Sequence, residues 1–349
     1  MDEALDLWAA IISQTPAPVS PELLSLLPAL IPILEDATDS TPQAVQIAES
    51  YVLLSPADVL SDRVRFPLLV ACQTLLKSTT RQRLGVVPRL VEMMMRGAQT
   101  VGDDGGAYHA LSQSLVDSEF LSSLVEGLYS AHESSETTGP NRKITPVYGV
   151  VETDYYSVLS RLSLGNPQVF VSAVSAVTRT SEEQTLSWIL TEWFLHFDNI
   201  GSVTQKKLHA LGLTQLLSLN APNAPPPPFV LKHLQSYLTM WTDLATELAD
   251  GANEVGDANP GCDYLVYWNG KHSELDVGDS TSAVDPPEIK RKRAWSDSDI
   301  VHQVNIRGFV RETLHSLIVR CGGEHQFQEN WLGNVDREVV EAFGALGIL

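Results

Sequence analysis

Across the 349 residues, side chains capable of chemistry are dispersed rather than convergent. The nine histidines are scattered, and His196 and His209 fall among leucines, where a hydrogen-bonded structural imidazole explains them better than proton transfer does. Cys321 and His325 are too few to bind zinc, which takes four protein ligands, or three and a water. The pairs Gly105-Gly106 and Gly322-Gly323 lack the Lys-Ser sequel of a phosphate-binding loop and read as turns. Neither GxSxG nor HExxH occurs. The sequence predicts no catalytic, metal-ligating or cofactor-binding residue, and no enzyme.

What remains is recognition chemistry. Lys290, Arg291, Lys292 and Arg293 form an unbroken basic run, followed by Trp295-Ser296-Asp297-Ser298-Asp299. One reading is a nuclear-localisation signal whose Ser296 and Ser298, set beside aspartates, are phosphorylated and so offset the basic charge. The other is a basic segment that folds back on an acidic body. Met93-Met94-Met95 suits core packing better than an adaptable groove. Pro225 to Pro228 reads as a stiff connector before an apolar helix rather than a ligand for a polyproline-binding groove.

Composition narrows the partners. Hydrophobic residues make up 44%, enough to bury a core, while a formal charge of −20 lacks the concentrated positive field that phosphate contacts need. It suits a basic protein partner, or simply solubility. Cys72, Cys262 and Cys321 show neither metal spacing nor an even count, as in a reducing compartment. MDEALDLW has no signal-peptide character. The longest apolar run, residues 23–34, contains two prolines and falls short of the roughly 20 residues needed to cross a bilayer. These features predict a soluble intracellular chain.

The elements are overwhelmingly helical. Small polar residues precede proline at Ser20-Pro21, Thr41-Pro42, Ser55-Pro56 and Asn166-Pro167, the signature of an N-cap with proline in the first turn. Ser202 with Gln205 makes a capping-box pair, and Ser55 with Asp58 a looser one. Helices are expected at 2–14, 20–35, 42–54, 56–78, 81–97, 105–117, 119–132, 152–164, 167–179, 181–198, 203–219 and 226–250, with a last group after 303.

In and just before residues 188–217, Leu186, Ile189, Leu190, Trp193, Phe194 and Phe197 make one apolar stripe. Trp188 and Leu195 face away from it, and Leu213 and Leu217 lie opposite the stripe of the next helix. Apolar residues on two sides are what a stacked helix pair requires. With pairs about 40 residues long, the sequence predicts an all-α HEAT/armadillo-type solenoid, a superhelix of antiparallel helix pairs. Repeats are expected over 1–132 and 149–250, a polar loop over 133–148, an acidic then basic disordered insert over 251–302, and C-terminal helices over 303–349. Between 251 and 288 eight acidic residues stand against one lysine, too polar to offset the entropy of ordering.

Six stretches then carry a family resemblance: ALDLWAAI, PELLSLLPALIPILED, ESYVLLSP, LSRLSLGNPQVF, WILTEWFLHFDNIGSVTQKKLHALGLTQLL and NVDREVVEAFGALGIL. In this order they resemble the C-terminal part of the importin-eleven branch of the importin-β, or karyopherin-β, nuclear transport receptors. The resemblance implies a HEAT-repeat receptor shuttling between nucleus and cytoplasm. Its partners would be basic nuclear or ribosomal protein cargo, Phe-Gly nucleoporins and Ran-GTP, with no nucleic acid and no second copy of the chain. The family's main Ran-binding region lies in N-terminal repeats that this chain does not contain, so Met1 is either a start within a longer receptor or that of a truncated product. Trp188, Glu192 and Leu195 are the candidate protein-interaction residues, with Trp188 and Leu195 read as packing on the adjacent repeat and Trp188 alternatively as lining a groove for a Phe ring. A helical-repeat scaffold serving a non-transport assembly is the alternative.

Overall fold

A computed structural model describes residues 2–36, 38–77, 81–102, 105–136, 145–220, 224–255, 263, 265 and 286–348. The regular elements among them are all helical. In chain order they are α1 (Asp2–Gln14), α2 (Pro21–Leu24), α3 (Leu30–Glu35), α4 (Thr41–Leu54), α5 (Pro56–Val59), α6 (Asp62–Leu76) and α7 (Arg81–Thr100). Then follow α8 (Gly106–Asp117), α9 (Phe120–Glu136), α10 (Val150–Gly165), α11 (Pro167–Thr178), α12 (Glu182–Phe197), α13 (Val203–Gln215), α14 (Pro228–Leu231) and α15 (Leu234–Val255). The last are α16 (Pro287–Asp297), α17 (Ile300–Gln303), α18 (Ile306–Arg320), α19 (Glu324–Asn330) and α20 (Arg337–Ala345).

Several polar residues with an extended backbone ahead of these helices act as caps. Asn166 accepts from the amides of Gln168 and Val169 at 3.0 and 3.1 Å, Ser181 from Gln184 and Ser202 from Gln205, each at 3.3 Å. Each satisfies one or two of the donors that a helix start leaves open. Ser55 behaves otherwise: its hydroxyl bonds the Asp58 carboxylate directly, not a backbone amide. Thr41 is the first residue of α4 rather than its cap, and its hydroxyl donates to the Thr38 carbonyl at 2.7 Å.

Three expected helices are interrupted. The stretch 20–35 is α2, a 3-10 turn over Leu27–Ala29 and α3, because Pro28 and Pro32 supply no amide to a continuous helix. The stretch 56–78 breaks at Ser61, whose extended backbone (φ −63°, ψ 150°) precedes α6 while its hydroxyl donates back to the Asp58 carbonyl at 2.6 Å. The stretch 226–250 is α14 and then α15.

The chain divides into two compact units, Met1–Val158 with Ala176–Thr178 and Val266–Asp297, and Leu159–Ser175 with Arg179–Leu265 and Ser298–Leu349. In the first, α4 packs on α1 and α7, and α6 on α3, α7 and α9. In the second, α13 packs on α15, α17 and α18, and α15 also on α12 and α20. Central helices are enclosed nearly all round: every residue of α4 from Ile47 to Leu54 is buried, as is every residue of α13 from Lys207 to Thr214. Leu213 and Leu217 are buried as stacked pairs require, and Met93, Met94 and Met95 are core.

The insert expected over 251–302 is different where it is described. Residues 256–262, 264 and 266–285 lie outside the described residues, but α16 and α17 are helices. The polar loop expected over 133–148 is also shorter, since α9 runs to Glu136; residues 137–144 are outside the described set.

Candidate protein-interaction surfaces

The capping hydroxyl of Ser181 starts α12, and its apolar stripe (Leu186, Ile189, Leu190, Trp193 and Phe197) fixes which side turns inward. Trp193 is fully enclosed, its indole N–H donating to His209 Nδ1 at 3.3 Å. Phe194 meets the rings of His233 and Tyr237, with centroids 5.6 and 4.9 Å away. His196 and His209 are both buried, in keeping with structural imidazoles. Trp188, Glu192 and Leu195 then fall together on the outward side, at i, i+4 and i+7. Trp188 and Glu192 are half-buried, whereas Leu195 is 67% exposed. The expectation that Leu195 packs against a neighbouring repeat is therefore corrected: no helix among the described residues covers it.

A second feature of this unit went unread in the sequence. Asp243 is held above the usual carboxylate range by partial burial first, and then by repulsion from Asp198 and Glu247 against the opposing pull of Lys206. Lys206 is itself paired with Glu247 at 2.8 Å. Asp198 and Asp243 are exposed, so the end of α12 and the middle of α15 present concentrated negative charge. Asp243 and Glu247 stand at helical i, i+4 spacing, but nothing in the sequence brings Asp198 to them.

The basic run of residues 290–293 lies on α16 in the first unit, against α1 and α4. Arg291 donates to the carbonyls of Thr15 at 2.6 Å and of Ile12 and Ser13 at 3.4 Å. These groups belong to the last turn of α1 and the residue after it, and that turn has no basic residue of its own; a cation at a helix C-terminus meets both open carbonyls and the negative end of the dipole. Burial lowers the guanidinium's affinity for its proton. Lys292 pairs with Glu288 at 2.6 Å, close to the buried Glu49 of α4, which holds Arg89 at 2.9 Å. Lys290 and Ser298 are exposed, Arg293 is half-buried, and Ser296 is completely buried. In this geometry Arg291 meets the end of α1 and Lys292 lies near Glu49 of α4.

Elsewhere, the described residues contain no group of three or more His, Cys, Asp or Glu able to hold a metal ion. None of their helices is long and apolar enough to cross a membrane.

A family profile described as importin-11-like, TPR repeats, matches residues 1–348. The chain belongs to the importin-11-like family. It is 25% identical over 346 residues to the importin beta-like protein kap113 of Schizosaccharomyces pombe, an overlap of 99% of this chain and 30% of that protein. To importin-11 of Homo sapiens it is 23% identical over 346 residues, covering 97% of this chain and 31% of that protein. No solved structure matches. The chain spans about a third of the length of these relatives. The family label names TPR repeats where pair length suggested HEAT or armadillo units; stacked antiparallel helix pairs are common to all three. The importin-11-like chain is thus a transport-receptor-like, non-enzymatic helical-repeat region.

Proposed function

We propose that this importin-11-like chain supplies part of the cargo- and nucleoporin-binding surface of an importin-β-type receptor that shuttles between cytoplasm and nucleus. The observation that carries the proposal is the family match along residues 1–348. Two features of the second unit support it. The carboxylates of Asp198, Asp243 and Glu247 offer a basic cargo a negative surface. Trp188 and Leu195 offer an apolar strip, with Glu192 between them, of the size that one aromatic side chain can cover.

The test uses the whole chain in binding assays with a basic ribosomal protein and with a Phe-Gly repeat peptide. Both are expected to bind. A Leu195→Ala variant should weaken binding of the Phe-Gly peptide while keeping its melting temperature, because Leu195 is exposed. If the folded chain binds neither probe, the transport reading is wrong and a scaffold role in another assembly replaces it.

A further inference from the structure

The seat of α16 is built like a binding site for a separate ligand. It grips three points of one helix face, at Arg291, Lys292 and Trp295, and each grip uses different chemistry. Arg291 is held by main-chain carbonyls at the end of α1. Lys292, paired with Glu288, sits in the field of Glu49. Trp295 lies beneath the Arg96 guanidinium, 5.6 Å from the ring centroid, and Arg96 also donates to the Trp295 carbonyl at 3.2 Å.

Gly97 makes room for that indole. A Cβ at this position would stand 3.3 Å from the Trp295 ring and 3.1 Å from Pro56. The helix that fills the seat is not an amphipathic repeat helix. Its basic face is mostly solvent-compatible, and its docked side carries Ser296, whose hydroxyl is fully enclosed and has no hydrogen-bond partner among the described residues. A core helix would place an apolar residue there.

We infer that the α1–α4–α7 face is a recognition site for a basic helix with an aromatic residue four positions after its key arginine. Here α16 occupies it in cis, and a partner protein bearing such a helix takes it in trans. Because α16 belongs to the same chain as its seat, it competes at an effective concentration on the order of millimolar. A trans ligand that binds the open seat at about 10 μM would then be weakened about a hundredfold by α16. The inference does not depend on the transport reading, since its site is in the first unit and its probe contains no Phe-Gly motif.

The experiment measures binding of a fluorescent peptide copying residues 286–299 to the full chain. Wild-type protein is expected to bind weakly, and an Arg291→Glu, Trp295→Ala variant, with its own α16 released, at least tenfold more tightly. Ser296→Glu forces a charge into the enclosed seat and should open it in the same way. Adding Gly97→Leu to the opened variant fills the space for the indole and should abolish peptide binding while the helical circular dichroism persists. Absence of peptide binding to the folded, opened variant would overturn the inference. So would loss of the fold in that variant, which would make α16 an integral part of the first unit rather than a ligand on it.

Discussion

Ionic side chains that the fold has enclosed set its sharpest residue-level dependences. Arg161 and Asp299 form a two-pronged pair at 2.7 and 2.6 Å, with side chains only 3% and 5% exposed. Lys207, fully buried, bridges the Asp263 carboxylate at 2.8 Å and the Val304 carbonyl at 2.5 Å. Breaking such a pair leaves an uncompensated charge and costs about 3–5 kcal/mol, whereas replacing both partners with packed apolar groups is often neutral. Arg161→Met alone is therefore expected to lower stability by about that amount in urea melts, and Arg161→Met with Asp299→Leu to recover most of it. Glu49 gives a dependence on pH. Burial raises its carboxyl above the ordinary 4.5, outweighing the attraction of Arg89 and Lys292. The folded state therefore keeps this proton after the unfolded chain has released it. Its contribution to stability is complete below about pH 4.5 and is lost as pH rises through the raised value. Melts of wild type and Glu49→Gln across this range should diverge, the wild type weakening relative to the variant as pH climbs. A constant difference would remove Glu49 as the source.

Between elements, two glycines that look alike in sequence have opposite prospects. Gly212, within α13, lies where a Cβ would meet the Ser160 main chain at 2.8 Å (Cα) and 2.9 Å (carbonyl oxygen), and its own carbonyl accepts from Ser163 at 2.7 Å. Alanine normally gains roughly 1 kcal/mol over glycine inside a helix, but here the obstacle is backbone that cannot rotate aside. Gly212→Ala should destabilise by about 1–3 kcal/mol, the usual cost of overpacking. A Cβ on Gly344 in α20 would meet no described residue within 4 Å, so Gly344→Ala should stabilise by about 0.4–1 kcal/mol. Thermal melts of the two variants that moved in the same direction would refute this contrast. Helix starts such as Asn166-Pro167 and Ser202 were legible because capping is local chemistry. The interruption at Ser61 was not, since it follows an apolar pattern that would equally well fit one long helix. Nor was α16: its order comes from Arg291, Lys292 and Trp295 meeting other helices, and composition alone reads it as solvated chain. On α12 the apolar period located the buried stripe correctly but could not tell whether a neighbour covers Leu195.

At the scale of the molecule, the family and the all-α repeat class could be read from ordered motifs and helix spacing, and the charge from simple counting. Where that charge is presented could not. The basic run, which suggested an exposed signal, spends Arg291 and Lys292 on contacts within the first unit, while Asp198, Asp243 and Glu247 gather in the second through folding. With a net charge of −20, the first attraction felt by a basic protein is long-range and exposed to solvent. The screening length shortens from about 30 Å at 0.01 M salt to about 8 Å at 0.15 M. Association with a basic partner should therefore slow steeply over that interval, with a smaller change in dissociation. Replacing Asp198, Asp243 and Glu247 by their amides should flatten the dependence. Phe-Gly binding should keep its affinity over the same interval, because apolar burial is not screened. Stopped-flow association at graded salt separates the two. A basic-protein on-rate indifferent to salt, or one unchanged in the triple variant, would mean that the acidic surface does not guide this partner and that contact is made elsewhere on the chain.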